Sequence, residues 1–360
     1  MAGMFWKRVG WSRLRLTLAA ATSLVLTVGA AAQSQIVDLT LHSRALEHNL
    51  LGDPADQPVS IALPAAYAQN PERRFPVLYF LHGYIDATTR HQAAELFAGA
   101  LDRLIAAGQA QPFIMVFPNG INKLGGGFYA NSSTTGNWDD YVTRDVVGYV
   151  DSHYRTLATP EHRAIAGHSM GGYGALTLAF RHPDVFGYVY AMDPCCTDLI
   201  GDTGASNLAW WKIAQMQSTA DVPAALHSGQ FFAAADAAMD AALAPDAKSK
   251  TLGDAPFVPV NGQLRTDPRV YAEIAMKMPA NMVFADLPNI ARLHGIYIEY
   301  GAQENFSHIV LGAQELSLRL SQAGISHTLE VFHGDHANHI VERISGHLLP
   351  WVSGRIAGEP

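Results

Sequence analysis

The stretch that decides the fold runs from residue 164 to residue 176 and reads AIAGHSMGGYGAL. A short apolar run suited to a buried strand leads into a Gly-x-Ser-x-Gly motif, Gly167, Ser169 and Gly171, and a small, apolar segment suited to a helix follows it. A serine on such a sharp turn between strand and helix is lifted above the sheet as a nucleophile. Residues two places away must be small, because a Cβ there would collide with the adjoining strand and helix. The stretch therefore predicts a nucleophilic Ser169, and the alternative is a glycine-rich turn with a structural role.

Apolar runs and helical patterns alternate along the rest of the chain. Runs typical of strands occupy residues 59–63, 77–81, 113–117, 188–192, 295–300 and 328–332, and residues 36–51 predict an edge strand or a hairpin. Helical spacing of apolar residues occupies 93–107, 138–154, 311–323 and 340–352. Strands that alternate with helices predict an α/β fold with a mostly parallel central sheet and helices on both faces.

Residues 197–289 depart from this pattern. The segment is rich in Ala and Met, carries Trp210, Trp211, Phe231 and Phe232, and is broken by prolines. It predicts helices and loops inserted between two strands. One interpretation is a cap over a substrate pocket, and the other is an appendage or extra packing with no contact to the site.

The composition suits one large core or two smaller ones, since 49% of the 360 residues are hydrophobic and 16% are charged. The net charge is −8 and no basic run is long enough to follow a phosphate backbone, which argues against nucleic-acid binding. The two cysteines, Cys195 and Cys196, are adjacent and cannot link distant segments. The sequence is compatible with a vicinal disulfide between them and with a pair of buried free thiols.

Residues 1–32 have the pattern of a signal peptide. Four basic residues within 7–15 precede an apolar segment at 16–28, and an Ala-Ala-Ala sequence ending at Ala32 offers a cleavage site. The alternative is an uncleaved membrane anchor, but the apolar segment is short for a span. We predict a secreted or periplasmic protein with a mature domain of 33–360 and no stable membrane insertion after cleavage.

Polar residues lie where the predicted strands end, which is where function gathers in parallel sheets. A nucleophilic serine needs a base within hydrogen-bond reach, and the base needs an acid that fixes its tautomer. His336 follows the last predicted strand and is the predicted base, and Glu304 follows the strand at 295–300 and is the predicted acid. The order Ser, Glu, His along the chain is the one expected of serine hydrolases built on such a sheet.

The predicted acid and base each have competitors. Asp193 ends the strand at 188–192 and Asp335 precedes the histidine, so both are alternative acids, although Asp335 is too close in sequence to face the outer ring nitrogen easily. A solvated loop carboxylate is the structural alternative for Glu304.

His333, His339 and His347 lie near His336 and are equivalent to it by composition as candidates for the base. The three-residue spacing of His333, His336 and His339 also permits a metal site. No second cluster of Cys, His or carboxylates accompanies them, so we predict no metal and no cofactor.

Two backbone N–H groups must hold the oxygen on which negative charge develops. One is predicted to be that of Met170, directly after the nucleophile, and the other that of Tyr84, in the loop after the strand at 77–81. These are backbone roles, so the side chains at both positions are not constrained by them.

The chain resembles the esterase D family of α/β-hydrolases over residues 58–350. The resemblance rests on PVLYFLHG at 76–83, NWDDY at 137–141, GHSMGG at 167–172, HPDVF at 182–186 and GDH at 334–336. The family includes S-formylglutathione hydrolases, feruloyl esterases, enterochelin esterases and mycolyltransferases of the antigen 85 type. The resemblance implies an α/β-hydrolase fold with a triad of Ser169, Glu304 and His336. Many members carry Asp at the acid position, mycolyltransferase-like members carry Glu, and the insert here is longer than in compact members.

The favoured hypothesis is an exported serine esterase that hydrolyses a small or polymer-linked carboxylic ester through an acyl-enzyme. An alternative is an acyltransferase that uses the same triad and moves the acyl group to a sugar or lipid hydroxyl. A third hypothesis is a binding protein that keeps the scaffold without catalysis, which the intact Ser169, Glu304 and His336 argue against.

Overall fold

The computed structural model describes residues 33–86 and 88–357, and the predicted signal peptide lies outside the described residues. A central sheet of eight strands organises the described chain. The strands are β1 (Gln35–His42), β2 (Asp56–Leu63), β3 (Val77–Leu81), β4 (Ile114–Pro118), β5 (Arg163–His168), β6 (Tyr188–Met192), β7 (Gly295–Gly301) and β8 (Thr328–Phe332). They lie side by side in the order β1-β2-β4-β3-β5-β6-β7-β8.

Six adjacent strands form the parallel part of the sheet. The strands from β4 across to β8 are parallel to one another, whereas β2 is antiparallel to both of its neighbours, β1 and β4. In the register of the centre, Gly167 on β5 lies opposite Leu81 on β3 and Ala191 on β6. The carboxyl ends of β3, β5, β6, β7 and β8 therefore meet at one edge of the sheet, and the predicted fold class is confirmed.

Six main helices accompany the sheet. They are α1 (Arg90–Ala106), α2 (138–153), α3 (Met170–Arg181), α4 (Phe231–Leu243), α5 (Ser307–Gln322) and α6 (340–356), and α2 and α6 each contain a π-helical segment, Tyr141–Val146 and Ile344–Leu348. Short helical turns lie at Arg44–Leu46, Ala65–Gln69, Pro160–His162 and Gly201–Thr203, and a two-residue strand pair joins Asn131–Ser132 to Gly136–Asn137. In the described ranges, no helix has the length and apolar character needed to cross a membrane.

The helices cover both faces of the sheet. Successive residues of β3 point to opposite faces, so Val77 and Tyr79 enter one core with α2, α3 and α5, while Leu78 and Phe80 enter a second core with α1 and α6. Burial on both faces is the reason that β3 is apolar at every position.

The segment 197–289 contains more than the predicted helices and loops. Besides α4 it forms short helices at Ala209–Ile213, Asp221–His227, Pro268–Ala275, Pro279–Ala285 and Leu287–Ile290. It also forms an antiparallel hairpin, Phe257–Val260 with Gln263–Thr266, which the sequence analysis did not predict. Asn261 and Gly262 turn this hairpin with φ of +51° and +76°, and Asn-Gly is the pair that two-residue hairpin turns favour.

Candidate active site

Ser169 stands on the turn between β5 and α3, at the edge where the parallel strands end. Its backbone has a φ of +57°, a conformation rare for residues with a side chain, and such strain concentrates at functional sites. A Cβ on Gly167 would collide with the backbone of Gly171, and a Cβ on Gly171 would collide with the carbonyl group of Leu81. The turn therefore closes only with glycine at both positions, as the motif predicts.

Ser169, His336 and Glu304 are joined by one chain of hydrogen bonds. Nε2 of His336 lies 3.1 Å from Oγ of Ser169, and Nδ1 lies 2.8 Å from Oε2 of Glu304. Because a carboxylate only accepts hydrogen bonds, Nδ1 donates to Glu304, and Nε2 is left to accept the hydroxyl proton of Ser169. The side chain of Glu304 is 0% exposed and that of His336 is 17% exposed. This arrangement gives the histidine the tautomer and the reach of a general base.

The surroundings of Glu304 keep its carboxyl group charged. Burial acts to raise its pKa, but the hydrogen bond and charge of His336 and the backbone N–H groups of Phe306 and Asn305 together lower that pKa below its usual value. The N–H of Phe306 donates to Oε1 at 3.0 Å, so each carboxylate oxygen has its own donor. A charged, fixed acid of this kind stabilises an imidazolium ring.

The alternative acids, Asp335 and Asp193, have hydrogen-bond partners different from those of Glu304. Oδ1 of Asp335 accepts the backbone N–H groups of Ala337 and Asn338 at 2.9 and 2.8 Å, and these bonds lower its pKa. Asp335 therefore closes the turn after β8, while His336 directs its ring to Glu304. Asp193 is buried at the end of β6 and lies beside Glu304.

His333 and His339 do not join His336 in one set of ligands. Within the described ranges, the three His, Cys or carboxylate groups close enough to share an ion are Asp193, Glu304 and His336, with ligand atoms within 4.8 Å of one another. Two members of this set are already bonded to each other, Nδ1 of His336 to Oε2 of Glu304.

His168, which the sequence analysis did not single out, supports the loop that carries His336. Its Nε2 donates to the carbonyl oxygen of His336 at 3.0 Å, and the two ring centroids are 4.7 Å apart. Burial, aided by the charge of His336, lowers the pKa of His168 to about 4, so its ring is neutral at neutral pH. Its place between Gly167 and Ser169 in the motif was the only signal in the sequence.

The predicted oxyanion donors lie on elements next to Ser169. Met170 opens α3, and the first N–H groups of a helix have no partner within it. The loop after β3 reaches the serine, since a Cβ on Gly83 would lie 3.4 Å from Cβ of Ser169. Tyr84 lines the same cavity as Ser169, and among the described residues no hydrogen bond occupies its backbone N–H.

His82 holds this loop in place. Its Nδ1 donates to the carbonyl oxygen of Gly83 at 2.8 Å, and its Nε2 accepts the backbone N–H of Gly120 at 2.7 Å. Burial, and next the charge of Arg90, lower the pKa of His82 to about 3. The ring is therefore a neutral structural group that bonds two loops.

A largely apolar cavity lies beside Ser169. Its aromatic and thioether lining consists of Tyr84, Phe128, Phe231, Phe232, Met239 and Phe306. The ring of Phe306 meets that of His336 edge-on at 4.9 Å and stacks on Phe231 at 5.5 Å. The walls are thus continuous with the ring of the predicted base.

Helix α4 brings the insert into this cavity. Phe231, Phe232, Ala235, Asp236 and Met239 all belong to α4 and line it. The inserted segment therefore contacts the space beside the predicted nucleophile.

Asp236 is the acidic residue of this lining. It is 3% exposed, and its Oδ2 has no hydrogen-bond partner among the described residues. Burial raises the pKa of its carboxyl group well above the usual value. Burial thus disfavours the charged form of Asp236, which adds one hydrogen-bonding group to the wall of the cavity.

Cys195 and Cys196 also line the cavity, as buried free thiols. Their Sγ atoms are 2.7 Å apart, and burial raises the pKa of Cys196. A thiol with a raised pKa is a poor nucleophile, so Cys196 does not compete with Ser169 in this form.

The sheet is mostly parallel and has helices on both faces. Ser169 stands on a strand-to-helix turn, and Glu304 and His336 follow later strands. Together these features define an α/β hydrolase. Residues 54–340 match the model of the family described as "Putative esterase". The chain belongs to this esterase family, and the resemblance to the esterase D family is confirmed.

Two curated relatives each match part of the chain. The endo-1,4-beta-xylanase/feruloyl esterase of Xylanibacter ruminicola is 30% identical over 138 residues, 37% of this chain and 19% of the relative. The S-formylglutathione hydrolase of Arabidopsis thaliana is 31% identical over 153 residues, 39% of this chain and 50% of the relative. The chain therefore spans half or less of the length of these relatives.

Solved structures of this class share the fold. A ferulic acid esterase superposes with a TM-score of 0.61 at 22% sequence identity, and the match covers 90% of this chain and 99% of that structure. The common architecture thus extends over nearly the whole of both chains.

Proposed function

We propose that this chain is an exported serine esterase that hydrolyses carboxylic esters through Ser169, His336 and Glu304. The observation that carries the proposal is the unbroken hydrogen-bond chain from Oγ of Ser169 to the buried carboxylate of Glu304. Membership of the esterase family supports ester chemistry.

In the first half of the reaction, Oγ of Ser169 attacks the ester carbonyl carbon and its proton passes to Nε2 of His336. Glu304 stabilises the imidazolium ring that forms. The backbone N–H groups of Met170 and Tyr84 hold the oxyanion of the tetrahedral intermediate. The ester C–O bond then breaks, and His336 returns the proton to the departing alcohol.

In the second half, water takes the place of the alcohol. His336 accepts a proton from the water as the water oxygen attacks the acyl carbon. The bond between the acyl carbon and Oγ of Ser169 then breaks. The proton returns to Oγ, the carboxylic acid leaves, and the enzyme is restored. Side chains and backbone supply every group in this cycle.

The aromatic cavity is the proposed site for the acyl group. Its lining of Phe and Met side chains favours an apolar or aromatic acyl chain over a charged one. Asp236 in the same wall adds one hydrogen-bonding group. In this proposal α4 acts as a cap, which is one of the two interpretations of the insert, since its residues line one side of the cavity.

The proposal of export rests on the signal-peptide pattern of residues 1–32. Expression of the full chain in a bacterial host, followed by N-terminal sequencing of the extracellular or periplasmic product, tests it. A product that begins at Gln33 supports export, and an intact chain in the cytoplasm contradicts it.

Hydrolysis of short p-nitrophenyl esters tests the proposed activity. We expect Ser169→Ala to remove the activity, while the matched variant Ser206→Ala, outside the cavity beside Ser169, retains it. Wild-type rates in folded Ser169→Ala protein would contradict the proposal.

A further inference from the structure

Asp193 is a buried carboxyl group that the proposed reaction does not use. It follows β6, is 1% exposed and has a φ of +42°, a strained conformation for an aspartate. Its backbone N–H donates to the carbonyl oxygen of Glu299 at 2.8 Å, and its Oδ1 accepts the backbone N–H of Gly301 at 2.9 Å. Both partners lie on β7, so this strand fixes the side chain of Asp193 close to the loop that carries Glu304.

The carboxyl group of Asp193 is directed at the triad. Asp193, Glu304 and His336 each offer an atom within 4.8 Å of the others, so the carboxyl groups of Asp193 and Glu304 lie close together at the base of the triad. Two ionised carboxylates this close in the protein interior repel each other, and neither can donate a hydrogen bond to the other. A proton on one of the two groups relieves this repulsion, as in other closely spaced carboxyl pairs.

The partners of the two groups decide where this proton resides. Glu304 accepts from Nδ1 of His336 and from the backbone of Phe306, and its pKa is lowered. The pKa of Asp193 is shifted in the opposite direction. Burial, and then the charges of Glu304 and Glu299, raise it to about 8, although the hydrogen bond from the N–H of Gly301 acts to lower it. Environments that push two pKa values apart assign separate roles, so Asp193 holds the proton and Glu304 the negative charge at neutral pH.

We propose that Asp193 is a positioning residue of the triad, whose protonated carboxyl group donates a hydrogen bond to Glu304 and holds it against His336. The inference rests on the proposed function, since it concerns the acid of the proposed triad. Asp193, one of the two alternative acids of the sequence analysis, thereby becomes a support for the predicted acid, Glu304.

The other charged groups around Asp193 identify it as the group that titrates. Glu299 is paired with Arg343. His168, with Nε2 3.9 Å from Oδ2 of Asp193, is neutral because burial and the charge of His336 lower its pKa to about 4. Loss of the proton from Asp193 would remove its hydrogen bond to Glu304 and place a second negative charge beside it. Activity should then fall on the alkaline side.

Two variants of the full mature chain separate this role from a merely structural one. Asp193→Asn keeps a donor for Glu304 and an acceptor for Gly301 but cannot ionise. Asp193→Leu keeps the bulk and removes both the donor and the acceptor. The measurement is kcat for p-nitrophenyl butyrate from pH 6 to pH 10, with blanks subtracted, and thermal melts of each variant at every pH.

We expect the wild-type kcat to fall with an apparent pKa near 8, and the Asn variant to lose this alkaline limb. At pH 7 the Leu variant should be slower than the Asn variant by about tenfold, because a hydrogen bond to a charged group is lost. An Asn variant with the same alkaline limb as the wild type, or one as slow as a folded Leu variant at pH 7, would overturn the inference. A wild-type protein without esterase activity at any pH would instead count against the proposed function.

Discussion

His336 and Glu304 are 32 residues apart in the chain, and Nδ1 of one lies 2.8 Å from Oε2 of the other. The contact exists because β7 and β8 are adjacent and parallel, so the loops that follow them leave the same edge of the sheet. The helix α5 lies between the two residues in sequence and returns the chain to that edge. The proposed catalytic geometry is therefore a direct product of the sheet topology.

Replacement of the acid should disable the base. In Glu304→Gln the amide can donate to Nδ1 of His336, which favours the tautomer with the proton on Nε2 and removes the acceptor for Ser169. We expect kcat for a short ester to fall by about 10³-fold or more. Asp335→Asn is the matched control and should have little effect, because Asn also accepts the two backbone N–H groups of the turn. Equal losses in the two variants would contradict the assignment of the acid.

The volume of the cavity should limit the acyl chain. Ala235 lies in its wall, and Ala235→Phe fills space that a long acyl group would occupy. We expect kcat/KM for a hexanoyl ester to fall at least about tenfold relative to the acetyl ester. The control is Ala272→Phe, at an exposed position of the same insert outside the cavity. Unchanged acyl-chain selectivity in a folded Ala235→Phe variant would show that the acyl group lies elsewhere.

The buried histidines predict a loss of stability in acid. The pKa values of His82 and His168 are lowered to about 3 and 4, chiefly by burial, whereas an unfolded histidine titrates near 6.5. As the pH falls below about 6.5, the unfolded chain gains protons that the folded chain excludes. The free energy of unfolding should then decrease by up to about 1.4 kcal/mol per pH unit for each histidine.

Urea denaturation between pH 7.5 and pH 5 measures this slope. His82→Gln and His168→Gln should each make it shallower, while His327→Gln, at a histidine that is only partly buried, should not. A free energy of unfolding that stays constant over this range would show that the two rings gain protons in the folded state.

A buried aspartate predicts the opposite dependence at higher pH. Asp240 is 1% exposed, neither carboxylate oxygen has a partner among the described residues, and burial raises its pKa well above the usual value. The folded state keeps this proton after the unfolded state has lost it, so stability falls as the pH rises above about 4. Asp240→Asn should raise the melting temperature more at pH 8 than at pH 5. The exposed Asp184→Asn is the control, and an equal gain at both pH values would contradict the account.

Local rules were sufficient for much of the fold. The run at 77–81 is β3 to the residue, because a strand buried on both faces must be apolar at every position. Helix α1 begins at Arg90, three residues before its predicted start at residue 93. Thr89 and Gln92 form a reciprocal capping box at this helix start. The hairpin at Asn261 and Gly262 also has a local turn signal, the Asn-Gly pair, within a segment whose composition predicts helices and loops.

The candidate site was only partly accessible from sequence. Ser169 follows from its motif and His336 from its place after the last strand. The proximity of Asp193 to Glu304 could not be predicted from sequence. It depends on how closely the loops after β6 and β7 approach each other in the folded protein. The cavity is similar: Phe128, Phe231 and Phe306 come from three distant segments, and only the folded chain brings them together. Composition alone could not distinguish such a lining from ordinary core.

The most direct test of the central claim is the reaction of the purified mature protein with a fluorophosphonate probe, followed by mass spectrometry of the labelled peptide. We predict a single label on Ser169, its loss in His336→Ala, and its retention in the control His333→Ala. This result would establish a serine activated by the neighbouring histidine. A folded protein that takes no label, or a label on Ser169 that survives in His336→Ala at the wild-type rate, would contradict the proposed triad.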